Sequence, residues 1–326
     1  MMKTWMCMRK ISIISHISYF LFFLLVSMAC CEKDKNIDRN KNLAAGSEKH
    51  IMPQIPLIIT DRSEQINYLA DHYWDGFNFS DTINIGTSAV EKYYIEYINI
   101  LNQVPPGMSK DAISKLMVRC ELKAKVFMRF FSLSEKYLYD PNSSLRNEVL
   151  YIEILRSIID SKKLPDVYKI RPRNQYNLAC RNIPGSKAAD FEFKTVDGTR
   201  GFLHKIKSPY LLIYFNNPDC GDCKRVCALL KESTAINSSI NSGMLKILSV
   251  YPDEDITVWK KESSSIPFLW INSFNPDGII MKNNIYDLKA IPSLYLLDYN
   301  KRVILKDALF EDVERFVTTN IKSKNV

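Results

Sequence analysis

Residues 210–215, "YLLIYF", are apolar or aromatic without a break, and they run straight into "NNPDCGDCK". A run that short and that continuous suits a strand buried on both faces. Such a strand needs a sheet flanked by helices. Further strand candidates follow at 244–251 ("MLKILSVY"), 293–298 ("SLYLLD") and 302–306 ("RVILK"). Between the first two, Cys223, Val226, Cys227 and Leu230 share one face of a helix. Phe310, Val313, Phe316 and Val317 mark a terminal helix. Strand–helix–strand, then a hairpin and a last helix, predicts an α/β domain with a mixed central sheet over 182–326.

Upstream, the period changes from continuous runs to helical stripes. Val90, Tyr93, Tyr94, Tyr97, Ile98 and Leu101 recur at helical spacing. "VPPG" (104–107) stops that helix, and Ser109 is placed to cap the next. Ile113, Leu116, Met117, Cys120, Ala124, Phe127 and Phe131 form a second stripe, ended by Asp140-Pro141. Leu145, Val149, Ile152, Leu155 and Ile159 form a third. Residues 50–181 therefore read as an all-α domain, with "RNIPGSK" (181–187) as the linker. Trp74, Phe77 and Phe79 read as its core. With 46% hydrophobic residues, including 16 Phe and 17 Tyr, the chain can fill two such cores. The net charge of +8 is spread along the chain, and no basic–aromatic motif accompanies it, so nucleic acid is not an expected partner.

The first residues set the expected compartment. Lys3, Arg9 and Lys10 precede an uncharged apolar run over 11–29, the order of a signal peptide. A retained membrane-spanning helix is the competing reading. The small residue Ala29 before Cys30 resembles the lipobox of bacterial lipoproteins, with Ser27 where that pattern prefers Leu. The resemblance implies cleavage after residue 29, lipidation of Cys30, and a membrane-anchored protein in the cell envelope facing the periplasm. Residues 30–49, rich in charge and lacking aromatics, read as a flexible tether.

Three of the eight cysteines fall within residues 217–227. Zinc would require four ligands. The chain has one C-x-x-C and scattered histidines, so neither a metal nor another cofactor is expected. A structural disulfide across so small a loop would constrain the unfolded chain little. A redox pair fits the position better. Helix-start N–H groups favour a thiolate, so Cys220 is the expected nucleophile and Cys223, one turn inward, the resolving thiol. Cys227 and Cys120 read as small core residues, and a Cys120–Cys180 bridge stays open. The acidic run 253–255 reads as a helix start.

"YLLIYFNNPDCGDCK" followed by "KAIPSLYLLDYNKRVILKD" (289–307) resembles the thioredoxin-like fold, in its membrane-attached TlpA/ResA-like branch. The resemblance implies a cis Ile291–Pro292 peptide facing the cysteine pair as part of the substrate-binding site. It also implies thiol:disulfide exchange with disulfide-containing envelope proteins, and a membrane thiol reductase as electron donor. The region around "HYWDGFNFSDT" (72–82) resembles the helical domain of unknown function that precedes thioredoxin-like domains in Bacteroidetes-type lipoproteins. Several positions depart from the pattern. Asp219 stands where Trp is frequent, Val226 where ResA-like members carry Glu, Ala228 at the helix-kinking proline, and Tyr214 at the buried Asp of thioredoxins. A non-catalytic binding scaffold is the alternative function.

Overall fold

The computed structural model describes residues 52–321. Cys30 and the expected signal peptide and tether lie outside these residues. Among the described residues no helix is long and apolar enough to cross a membrane.

The first part is helical. Helices α1 (Arg62–His72), α2 (Ser88–Leu101), α3 (Pro106–Cys120), α4 (Ala124–Ser134), α5 (Glu148–Asp160) and α6 (Ile170–Ala179) surround one apolar core. Trp74 anchors it, meeting Phe130 and Phe77 edge-on with ring centroids 5.2 Å away in each case. Each such pair adds about 0.5–1.5 kcal/mol beyond simple burial. Tyr94 Oη donates to Ser134 Oγ at 2.8 Å, and Ser134 Oγ donates onward to Phe130 O at 2.7 Å, so both buried hydroxyls are satisfied.

Three details differ from the sequence reading. Ser109 does not cap α3: the helix starts earlier, at Pro106, because proline fits a first helical turn where its missing N–H costs nothing. The second stripe is not one helix. It breaks at 121–123, so that α4 turns back and seats Phe127 and Phe130 in the same core as Leu116 and Met117. On α5 the buried face carries Leu150, Tyr151, Ile154, Leu155 and Ile158, whereas Val149 is half exposed. Large apolar side chains cover most of that helix, so periodicity alone could not choose the face.

The second part is a mixed sheet. Its strands are β1 (Glu192–Thr195), β2 (Arg200–Phe202), β3 (Tyr210–Phe215), β4 (Leu245–Tyr251), β5 (Ile271–Phe274), β6 (Ser293–Asp298) and β7 (Val303–Ala308). They lie in the order β2-β1-β5-β4-β3-β6-β7. β3 pairs in parallel with β4 and antiparallel with β6. Alternation along β3 sends Leu212 and Tyr214 to one face, and Leu211, Ile213 and Phe215 to the other. Helices α7 (Gly221–Glu232), α8 (Thr234–Asn241) and α10 (Phe310–Phe316) supply residues to the first of these two cores. The expected β3, β4, β6 and β7 are present. β1, β2 and β5 were not expected, because they are short and only partly buried.

The expected linker is stitched to β7 and to the loop before β6. Gly185 N–H donates to Val303 O at 2.8 Å, and Asn182 Nδ2 donates to Ile285 O at 2.9 Å.

Candidate active site

β3 delivers the chain to the site and Asn216 holds it there. Buried Asn216 donates from Nδ2 to Ser249 Oγ at 2.8 Å, tying the end of β3 to β4. The loop then turns at 217–219, where Asp219 N–H donates to the Asn217 side chain at 2.9 Å. Cys220 follows in extended conformation (φ −87°, ψ 122°) as the N-cap of α7. Its sulfur accepts from the Cys223 N–H at 3.3 Å, doing for α7 what a serine hydroxyl does at other helix starts.

The two thiols differ in environment. Cys220 is partly exposed, whereas Cys223 is only 2% exposed. Cys223 Sγ accepts from the Asn217 N–H at 3.4 Å. Burial pushes the Cys223 thiol well above the ordinary cysteine range, the neighbouring Cys220 adds to this, and the Asn217 N–H opposes it. Opposite the pair, the Ile291–Pro292 peptide is cis, and Ile291 O accepts from Cys220 Sγ at 3.3 Å. The fold thus brings Cys220, Cys223 and the Ile291–Pro292 loop into one site, although 71 positions separate Cys220 from Ile291.

The departures acquire structural meaning. Tyr214 is buried, and its Oη donates to Cys223 O at 2.6 Å. Burial pushes its phenol upward, so it orients the helix start and keeps its proton. Val226 and Cys227 are buried in the core under α7. Asp222 is 71% exposed and pairs with Arg225 at 3.4 Å, on the solvent side. Cys223 lines a small, half-open pocket of about 30 Å³, together with Tyr214, Asn216, Cys227, Trp259 and Asn272 among others. That is room for one water among polar partners. Asn216 and the Trp259–Asn272 pair (Nε1 to Oδ1, 3.1 Å) were not foreseen, because nothing local distinguishes them from other polar residues at strand ends.

The remaining candidates resolve simply. All five described cysteines are free thiols, including buried Cys120 and half-buried Cys180. Asp255 caps helix α9 (Ile256–Glu262), its Oδ1 accepting from Thr257 N–H at 3.0 Å. Among the described residues no three His, Cys, Asp or Glu side chains converge as a metal site.

Comparison with known proteins adds the following. Residues 29–182 match a family described as a domain of unknown function (DUF5106). No curated protein matches the chain. A crystal structure of the C-terminal domain of an uncharacterized protein from Bacteroides fragilis is 40% identical, with a TM-score of 0.42, covering 42% of this chain and 98% of its own. The thioredoxin domain of a thiol-disulfide oxidoreductase from Bacteroides vulgatus is 22% identical, with a TM-score of 0.35, covering 41% of this chain and 98% of its own. A thioredoxin-like protein from Bacteroides caccae is 37% identical, with a TM-score of 0.81, over 84% of this chain and 99% of its own. Both parts of the molecule take part in that last match, and on it the chain belongs to the thioredoxin-like family.

Proposed function

We propose that the protein is a thiol:disulfide oxidoreductase that reduces or exchanges disulfides in other proteins through Cys220 and Cys223. One observation carries the reading: a partly exposed sulfur at a helix start, facing the Ile291 carbonyl, with a second, buried sulfur one turn behind it. In the reaction, the Cys220 thiolate attacks one sulfur of a substrate disulfide. That S–S bond breaks, a Cys220–substrate disulfide forms, and the departing sulfur takes up a proton. Cys223 loses its proton and attacks Cys220 Sγ. The mixed disulfide breaks, the second substrate thiol leaves, and a Cys220–Cys223 disulfide remains. Two electrons have passed to the substrate. A dithiol donor must return them, and a membrane thiol reductase is the class of donor we propose. The small pocket beside Cys223 has room for one water, which would offer a route for its proton, a task that the exposed, Arg225-paired Asp222 is poorly placed to perform.

The basic–apolar–Cys order of the first thirty residues supports an envelope location with lipidated Cys30 as the anchor. The substrates are then disulfide-containing envelope proteins. The decisive experiment is trapping in cells. Cys223→Ser should accumulate mixed disulfides, and Cys220→Ser should not. Equal trapping by the two variants would show the role assignment to be wrong, and no trapping by either would favour a binding scaffold.

A further inference from the structure

The loop that faces Cys220 is not held by its own domain alone. On its N-terminal side, Lys289 has a side chain only 6% exposed. Its Nζ lies 2.7 Å from Glu148 Oε1 and 3.0 Å from Asp287 Oδ2. On its C-terminal side, Ser293 Oγ donates to Asp307 Oδ1 at 2.9 Å. Asp307 Oδ2 accepts from Arg146 Nη1 at 3.0 Å, and Arg146 Nη2 donates to Asp307 O at 2.7 Å. The other oxygen of Glu148, Oε2, lies 2.8 Å from Nζ of Lys306, whose side chain is 2% exposed. Arg146 and Glu148 belong to the helical domain, and the groups they hold belong to the thioredoxin-like domain.

Two features set this apart from ordinary surface pairing. Buried ammonium groups are costly unless paired, and here two of them share one glutamate: Lys289 has Asp287 as its other partner, and Lys306 has the Ala179 carbonyl at 2.6 Å. Asp307 also adopts φ 46°, a left-handed conformation that residues other than glycine rarely take, in a stretch where the β6–β7 ladder shifts register. Bulged strands re-aim side chains, and backbone outliers persist where the surroundings over-determine them. Here the outcome is a carboxylate aimed between Ser293 and Arg146.

We propose that Arg146 and Glu148 are positioning residues for the thiol site. They clamp both ends of the Lys289–Ser293 loop, so that the Ile291 backbone stays where a substrate strand must lie against Cys220. The proposal rests on the disulfide-exchange reading above, and it assigns a task to the helical domain: holding the substrate-facing loop in register.

The test uses the full chain carrying Arg146→Ala, Arg146→Lys or Glu148→Gln, with two measurements. The first is amide hydrogen exchange, followed by mass spectrometry. The clamp requires the amides around Lys289–Leu294 to exchange roughly tenfold faster in Arg146→Ala and Glu148→Gln, with β3 and β4 unchanged. The second compares two reactions of Cys220: reduction of insulin disulfides, and alkylation by iodoacetamide. Insulin reduction should fall by roughly tenfold while alkylation changes by less than about twofold, because a small reagent does not need the loop. Arg146→Lys should recover part of the loss. Equal losses in both reactions, or unchanged loop exchange in folded Arg146→Ala, would overturn the proposal. Should Glu148→Gln fail to fold, the Arg146 pair decides. A wild-type chain that leaves insulin intact refutes the exchange reading, while hydrogen exchange still decides the clamp.

Discussion

Cys223 illustrates how one residue's surroundings set its chemistry. Its thiol is buried and pushed above the ordinary range, while Cys220, at the start of the same helix, is partly exposed. Brief iodoacetamide treatment of the reduced protein at neutral pH should therefore modify Cys220 and spare Cys223, Cys227 and Cys120. Peptide mapping reads this out, and comparable labelling of Cys223 in the folded protein would contradict the assigned geometry. Tyr214→Phe removes the buried hydrogen bond to Cys223 O, a carbonyl in the first turn of α7. It should cost about 1–2 kcal/mol in urea unfolding, and no loss would mean that the contact is idle. Redox poise is also decided at this scale. Asp219 and Asp222 oppose the helix N-terminus and Arg225 around Cys220, and Asp222 is itself engaged by Arg225. The pair should then behave as a reductant, with a potential more negative than about −180 mV in glutathione equilibration. Asp222→His should raise it, and an unchanged value would show that the flanking charge is not the control.

Among the elements, a single carboxylate joins α2 to α4 and to the helical turn Glu135–Tyr139 that follows α4. Glu91 accepts from Lys136 Nζ and Tyr137 Oη at 2.6 Å each, and from Arg129 Nη2 at 3.0 Å. These bonds, that from Lys136 foremost, hold its carboxyl down at about 2. A carboxylate depressed by folding stabilises the protein above its unfolded value, and that stability is lost as pH falls toward the folded one. Glu91→Gln should thus destabilise the protein by roughly 1–3 kcal/mol at pH 7. The difference from wild type should shrink as the pH of the unfolding experiment drops from about 4.5 toward 2. A difference independent of pH would mean that packing, not charge, is what Glu91 supplies.

For the molecule as a whole, the buried tyrosines set the alkaline limit. Burial pushes Tyr94, Tyr97, Tyr286 and Tyr295 above the ordinary phenol value of 10.0, and does the same to Cys120 and Cys223 from 9.0. The folded state therefore keeps protons that the unfolded chain releases above about pH 9–10. Stability from this source is complete below that range and falls as pH rises through it. Urea midpoints should drop between pH 8 and pH 11, and tyrosinate absorbance from these residues should appear only with unfolding. A midpoint that holds steady to pH 11 would contradict the burial.

The α/β class, the four long strands and the place of the cysteine pair were legible in the chain alone. Continuous apolar runs and helix-start chemistry are local patterns, and local patterns specify elements. The short strands β1, β2 and β5 were not legible, because three or four half-exposed residues carry little periodicity and become strands only when a neighbour pairs with them. The break between α3 and α4 and the buried face of α5 depended likewise on where the core of the helical domain lies. The site divides along the same line. Cys220, Cys223 and Pro292 could be named from their motif positions. The carboxylates of Glu148 and Asp307 could not, because Glu148 meets Lys289 across 141 positions and Asp307 meets Arg146 across 161. An ion pair over such a separation leaves no mark in either segment. Only the tertiary fold, which removes water from around these charges, makes each one require its partner.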